Sequence, residues 1–262
     1  MIGFAELNIG RLIVFVLVLT FMGLAESLWP VRVWMEKRSK RWLFHMTISV
    51  FNAVMTRFFI FVPLLFWIDF VQAKGWGISP WLGLRGFWEI VGTLIVFDGL
   101  IYWWHRWNHT VPFLWRFHKP HHIDTELDVT TSLRFHPIEL LLSYGVKAIW
   151  ILLWAPSLVA FMIFEAAITA YAQFHHSNID FSDPWEMKLR WVHMTPRLHA
   201  SHHTVSIRTR SANYSTIFLI WDRIFGTFKE PDPKEMKLLG LEEGRETDLS
   251  MTAFAKSPFV TT

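Results

Sequence analysis

The chain has 262 residues, of which 52% are apolar and 18% charged, with a formal net charge of +3. A soluble domain is typically about a quarter charged, so this apolar excess, with 16 Trp and 24 Phe, calls for a membrane. The absence of cysteine excludes disulfides, iron–sulfur clusters and thiolate zinc sites. The basic residues gather beside apolar runs, which indicates membrane topology rather than nucleic-acid binding.

A bilayer core takes about 20 apolar residues per spanning helix. Residues 9–29 form a first such run, with Arg11 and Glu26 near its ends, where they can snorkel. The preceding MIGFAELNIG lacks the basic region of a signal peptide. Residues 43–68 form a second run that Arg57 interrupts, so Arg57 is expected to face the protein interior or a polar cavity. Residues 87–104 form a third. Residues 138–154 and 157–174 read as a hairpin turning at Pro156, in which Lys147 and Glu165 stand at similar distances from the turn and are expected to pair. Arg32, Lys37, Arg38, Lys40 and Arg41 crowd the first loop, whereas residues 69–86 hold only Lys74 and Arg85. The positive-inside rule then puts the first loop in the cytoplasm. The expected fold is an all-α integral membrane bundle of about four to five helices.

Histidine is the anomaly: there are 13, and all but His45 fall between His105 and His203. With the orientation above, every dense histidine segment lands on the cytoplasmic side. His105 and His109 are four apart and share a helical face. Asp98 and Tyr102 join that face, so Asp98 is placed to orient an imidazole through its second nitrogen. His118-Lys-Pro-His121-His122 and His199-Ala-Ser-His202-His203 both space their imidazoles at i, i+3, i+4, one stripe of a helix. Eight imidazoles exceed the needs of one tetrahedral zinc and suit two metals. Arg134-Phe-His136-Pro-Ile-Glu139 and Gln173-Phe-His175-His176-Ser-Asn178 lie at the two bases of the hairpin and could complete the coordination spheres. His45 and His193 read as structural, Tyr102–Trp104 as an interfacial aromatic belt, and Arg116 and Lys119 as inside charges.

Imidazole suits zinc, copper, iron and nickel alike. Hydrolysis would call for one zinc with a carboxylate base, and no H-E-x-x-H arrangement is present. Two redox metals under apolar helices fit O2 activation beside a lipid better. The alternatives are a histidine-rich metal transporter, which would hold its ligands near the bilayer midplane, a zinc-dependent lipid hydrolase, and a lipid-binding pseudo-enzyme.

These motifs, with Asn213-Tyr214 and Trp221-Asp222-Arg-Ile-Phe-Gly226, resemble the fatty acid hydroxylase/sterol desaturase superfamily, and in this order the likeness runs from about residue 41 to 226. The resemblance implies a bundle capped by a cytosolic, histidine-lined dimetal centre holding two Fe ions (with Zn as a replacement in purified material). The implied reaction uses O2 as co-substrate to hydroxylate or desaturate a lipid, with electrons from an external cytochrome b5-, ferredoxin- or reductase-type donor. Carried over by position, the catalytic iron ligands are His105, His109, His118, His121, His122, His199, His202 and His203, with His176 as a ninth and His136 as a tenth. His175 stands beside His176, so either of the two could ligate. Asp98, His175, Asn178, Asn213 and Asp222 are expected just outside the ligands. The expected parts are N-terminal membrane helices (1–86), a catalytic domain (87–228) containing the 138–174 hairpin, and a polar cytosolic tail (229–262). The chain's compactness suggests a bacterial inner membrane.

Overall fold

A computed structural model describes residues 4–245 and 249–260, and among these the fold is helical, with two isolated β-bridges. In chain order the helices are α1 (Phe4–Leu28), α2 (Arg38–Thr56), α3 (Val62–Ala73), α4 (Ile78–Trp81), α5 (Phe87–Thr110), α6 (Pro112–His122), α7 (Pro137–Trp154), α8 (Leu158–His176), α9 (Asp183–Leu189), α10 (Pro196–His202), α11 (Ile207–Arg210), α12 (Ile220–Ile224) and α13 (Met251–Lys256). Among the described residues, five stretches are long and apolar enough to cross a membrane: Glu6–Leu28, Phe59–Trp81, Phe87–Thr110, Pro137–Trp154 and Leu158–His176. The chain is an integral membrane protein.

Local chemistry sets the starts of these helices. Pro112, Pro137 and Pro196 each sit in a first turn, where a missing N–H costs nothing. Ser157 accepts from the Ala160 amide at 3.3 Å to cap α8, and Thr195 accepts from the Leu198 amide at 3.3 Å to cap α10. Ala155 turns the chain between α7 and α8 with φ 57°. The hairpin stands as expected, and Lys147 Nζ meets Glu165 Oε1 at 2.6 Å, both side chains buried. Arg11 approaches the same carboxylate at 3.8 Å. Phe97 is fully buried among Phe161, Phe164 and Trp150, at edge-to-face ring distances of 6.3, 5.1 and 6.3 Å. Such packing matters here because lipid tails leave little hydrophobic drive between spanning helices.

Three expectations change. The second span is Phe59–Trp81 rather than residues 43–68. Along α2 the residues Arg41, Phe44, His45, Ile48 and Asn52 form a stripe buried in protein at the histidine end, with Asn52 reaching the Phe135 carbonyl at 2.8 Å. Arg57 is exposed, not interior. It opens a π-helical turn, Arg57–Phe61, just ahead of Pro63, whose ring and missing N–H disrupt the regular ladder one turn upstream. Arg57 thereby falls just before the second span, where a long cation can reach water. Glu26 does not snorkel: it is fully buried, accepting from the Val129 and Asn178 amides at 2.9 and 3.0 Å and pairing with Arg38 at 2.6 Å.

Residues 229–245 and 249–260 fold back over the histidine end. The Gly240 amide donates to the His203 carbonyl at 2.8 Å, Leu239 packs with Leu127 and Ala200, and Phe254 packs on Phe44 and His136. Their charge count hid this, because a few apolar residues (Leu239, Leu241, Phe254) make the contact.

Candidate metal centre

Four helix ends converge at one end of the bundle. The last two turns of α5, α6 and α8 bring His105 and His109, then His118, His121 and His122, then His175 and His176. Helix α10 brings His199 and His202, and His203 caps its end. Nine of these imidazoles form two groups whose ligand atoms lie within 4.8 Å of one another in each group. The first group is His105, His109, His118, His122 and His202; the second is His121, His176, His199 and His203. His122 stacks on His203 at 4.2 Å between ring centres, so the groups adjoin.

Hydrogen bonds on the far side of the rings fix which nitrogen points inward. His105 Nδ1 meets the Tyr214 carbonyl at 2.8 Å, His202 Nδ1 the Ala212 carbonyl at 2.7 Å, and His176 Nδ1 the Ala172 carbonyl at 2.7 Å. A carbonyl only accepts, so each Nδ1 carries the proton and each Nε2 of a neutral ring presents a lone pair. Yet His202 Nε2 faces His105 Nε2 at 3.1 Å, and His176 Nε2 faces His199 at 2.9 Å and His121 at 3.1 Å. For His105 and His202, whose protons are both fixed on Nδ1, lone pairs at that separation repel unless a cation lies between them. A proton is a poor candidate, because burial, reinforced by the neighbouring imidazoles, pushes His121, His199, His202 and His203 well below their ordinary range. His109 Nε2, His118 Nε2 and both nitrogens of His122 are buried without a hydrogen-bond partner, which a structure tolerates rarely. The donor set fits two metal cations.

One carboxylate serves this layer directly. Glu139, in the first turn of α7, meets His118 Nδ1 at 2.8 Å with the histidine ring donating, and Asn108 supports the same oxygen at 3.4 Å. Such a pairing orients a ligating imidazole and raises its basicity.

Residues 90–227, just over half of the chain, match the Fatty acid hydroxylase family. The chain belongs to it. Among relatives, the ornithine lipid hydroxylase OlsE of Rhizobium tropici is 31% identical over 55% of this chain and 42% of its own length. The alkylglycerol monooxygenase of Xenopus tropicalis is 32% identical over 62% of this chain and 33% of its own. The lathosterol oxidase of Mus musculus is 31% identical over 57% of this chain and 48% of its own. The match thus covers less than half the length of each of these relatives. No solved structure matches the chain.

Of the ten expected ligands, nine lie in the two groups and His136 lies in neither. His136 is the N-cap of α7, its Nδ1 accepting from the Ile138 amide at 3.3 Å, and its ring lies against Phe117 and Phe254. His175 stays outside the groups, its ring centre 3.9 Å from that of His199. Asp98 does not orient His105: it accepts from the Ile217 and Phe218 amides at 3.0 Å and from Trp221 Nε1 at 2.9 Å. The geometry needed a partner 120 residues downstream, which helical spacing could not supply. Asp222 likewise binds backbone, the Tyr214 and Ser215 amides at 2.8 Å, and so fixes the carbonyl that His105 uses. Asn213, at φ 56°, donates to Ser201 Oγ at 3.2 Å and to the Lys229 carbonyl at 2.9 Å, tying α10 to the following loop. Asn178 pairs with the backbone of Arg32 instead of any histidine. His45 and His193 lie outside both groups. Sequence reasoning missed Glu139; its signal was a carboxylate three residues after a histidine in the Arg134–Glu139 motif.

Proposed function

We propose that the chain is an O2-dependent oxidoreductase that hydroxylates or desaturates a C–H bond of a membrane lipid at a centre of two iron ions. The observation that carries this reading is the convergence of two all-imidazole groups, with inward lone pairs, at the end of a membrane bundle. His105, His109, His118, His122 and His202 would hold one ion and His121, His176, His199 and His203 the other. Bound there, the pair supplies the redox chemistry that activates O2 against an unactivated C–H bond. The protein's own part is position and exclusion of water. The Tyr214, Ala212 and Ala172 carbonyls and Glu139 lock four rings in the tautomer that ligates. The second group is fully buried, whereas His105 and His109 are part-exposed, so substrate meets the first group.

The relatives named above act on an ornithine lipid, alkylglycerols and lathosterol, and this favours a lipid substrate here. The reductant is a separate protein of cytochrome b5, ferredoxin or reductase type. A cleft of about 680 Å3 suits it, because its lining residues Asn178, Arg197 and Leu239 adjoin His176, His199 and His203, and its wall carries five cations against three carboxylates. The histidine end faces the cytoplasm, given the basic loop between α1 and α2, and the membrane is a bacterial inner membrane. The test is anaerobic purification in detergent, elemental mass spectrometry, and Mössbauer spectra of iron-57 material with and without O2. About two irons per chain and an O2-dependent change in the ferrous signal are expected, followed by a lipid difference when the gene is deleted. One zinc per chain that iron reconstitution does not replace would overturn the reading.

A further inference from the structure

Asp98 is a fully buried carboxylate within a spanning helix, a costly placement for a charge, and the metal centre makes no use of it. It lies seven residues before His105 on α5, about 10 Å toward the membrane interior. Its partners Ile217, Phe218 and Trp221 therefore stand beside the spanning part of α5. Tyr171 on α8 gives the height independently: its hydroxyl meets His193 Nδ1 at 3.0 Å, and it precedes His176 by five residues. Residues 192–194 and 217–219 run antiparallel here, with Met194 N donating to the Ile217 carbonyl at 3.0 Å and Leu219 N to the Val192 carbonyl at 2.9 Å. Gly99 lets this layer lie directly on α5, since a Cβ there would meet the Trp221 ring at 2.9 Å.

We propose that α9 with residues 190–192, and α12, form a re-entrant collar embedded in the bilayer, its outward face covered by lipid. Three observations carry this. Residues 217–221, at the head of α12, lie against α5 at the height of Asp98, and α9 runs from there toward the histidine end, where Glu186 meets Thr195. Its outward side chains are mostly apolar: Trp191 is 68% exposed, Trp185 and Ile224 60% each, and Val192 and Ile220 are exposed beside them, with Asp183 and Lys188 the charged exceptions on α9. Its non-helical backbone is internally satisfied, as irregular chain at membrane depth must be. Strand-like pairing satisfies part of it, and Asp98 accepts from two further amides.

The charges agree. Lys188 lies over Trp185 at 4.8 Å and Arg223 over Trp191 at 4.5 Å, the cation-and-aromatic pairing of a headgroup boundary. The exposed acids nearby, Asp183 and Glu230, are each paired with an arginine, Arg197 and Arg190. Asp98 on this reading anchors the insert against α5.

The chain has no cysteine, so single labels are clean. Ile224→Cys and Trp191→Cys, each labelled with an environment-sensitive NBD fluorophore, would be reconstituted full-length in phosphatidylcholine–phosphatidylglycerol vesicles. Quenching by doxyl-lipids would then be compared with quenching by aqueous iodide. Leu17→Cys, 62% exposed on α1, is the spanning control, and Val33→Cys, 89% exposed in the first loop, the aqueous one. The 191 and 224 labels are expected to behave as the 17 label does: blue-shifted, quenched several-fold more by doxyl-lipid than by iodide. The collar is overturned if they follow the 33 label. It is equally overturned if neither quencher reaches them, which would mean a second copy of the chain covers the patch. If the 17 label also follows the 33 label, the membrane reading itself falls, so the two failures are separable.

Discussion

Two buried polar clusters adjoin at the histidine end, and they obey opposite rules. In one, Arg41 donates to both oxygens of Asp124 at 2.8 and 3.0 Å, to Asp128 at 2.6 Å and to the Glu126 carbonyl at 2.9 Å. His45 joins it, Nδ1 against Thr130 at 2.7 Å and Nε2 against Arg134 at 3.4 Å. Burial opposes ionisation of Asp124, but the Arg41 and Arg134 guanidiniums outweigh it and hold the carboxyl well below the usual carboxylate range. Arg41 is pushed up because the two carboxylates outweigh burial in turn. In the other cluster nine imidazoles converge in two groups, with ring nitrogens within 4.8 Å of one another in each. His45 and His122 are both fully buried, and burial keeps both neutral. Each ring nitrogen of His45 has a partner; neither nitrogen of His122 has one. A scaffold cluster closes on itself, whereas a site leaves donors for a ligand.

That contrast is broken most directly by substitution at His122. His122→Ala removes a group with no hydrogen-bond partner, so the protein should stay folded. Turnover is expected to fall below detection, with about one metal lost per chain by elemental mass spectrometry. Retention of two metals and of activity would erase the distinction. The scaffold should respond the other way. Arg41→Met strands Asp124 and Asp128, and breaking a buried pair from one side costs about 3–5 kcal/mol. The expected result is a lowered midpoint of chemical denaturation in detergent and poor folded yield. An unchanged midpoint would mean the cluster does not brace the fold.

Glu139→Gln comes next, because Glu139 links the two rules: one oxygen is satisfied by His118, and the other is buried with no partner. Loss of such a carboxylate typically costs about 10–100-fold in metal affinity or activity. Chelator competition should show this for one ion only, since none of the second group's histidines is bonded to a carboxylate. Equal weakening of both ions would refute the division into two groups.

Glu139 also marks the limit of what the sequence discloses. The i, i+3, i+4 boxes announce themselves because helical spacing alone brings their rings together. Lys147 and Glu165 are legible for the same reason, through their symmetry about Pro156. Partners contributed by distant backbone leave no such pattern: the Tyr214, Ala212 and Ala172 carbonyls that orient His105, His202 and His176 have no side-chain signature. Asp98 was misread as an imidazole partner because its true partners come from 217–221. The span at residues 43–68 was misplaced because mean hydropathy averages over a helix, whereas Arg41, His45 and Asn52 repeat along one face and bury polar groups in protein. His136 sits among ligands in the sequence, yet a proline immediately after it fits a helix start equally well.

Acid should separate the clusters. Burial, ahead of the nearby arginines, depresses His45 from 6.5 to about 3. The unfolded chain therefore binds a proton that the folded chain refuses between those values. His45 costs no stability above pH 6.5, and stability falls as pH drops from 6.5 toward 3, by up to about 1.4 kcal/mol per unit. With metal bound in both proteins, denaturation midpoints from pH 7.5 to 5 should decline more steeply in the native chain than in His45→Gln. Parallel slopes would show that His45 is charged in the folded state.

His136→Ala is the smallest expected effect and the sharpest check on the boundary of the site. The imidazole accepts from the Ile138 amide at the start of α7 and packs between Phe117 and Phe254. Removing an N-cap typically costs about 1 kcal/mol, with some packing lost besides. Metal content should stay at the native value, and chelator competition should be unchanged for both ions. His118→Ala, on the neighbouring helix and bonded to Glu139 of the same α7 first turn, should instead release metal. If His136→Ala also releases metal, the N-cap is communicating with the centre through Glu139 three residues on, and the boundary drawn by hydrogen-bond satisfaction moves outward to include it.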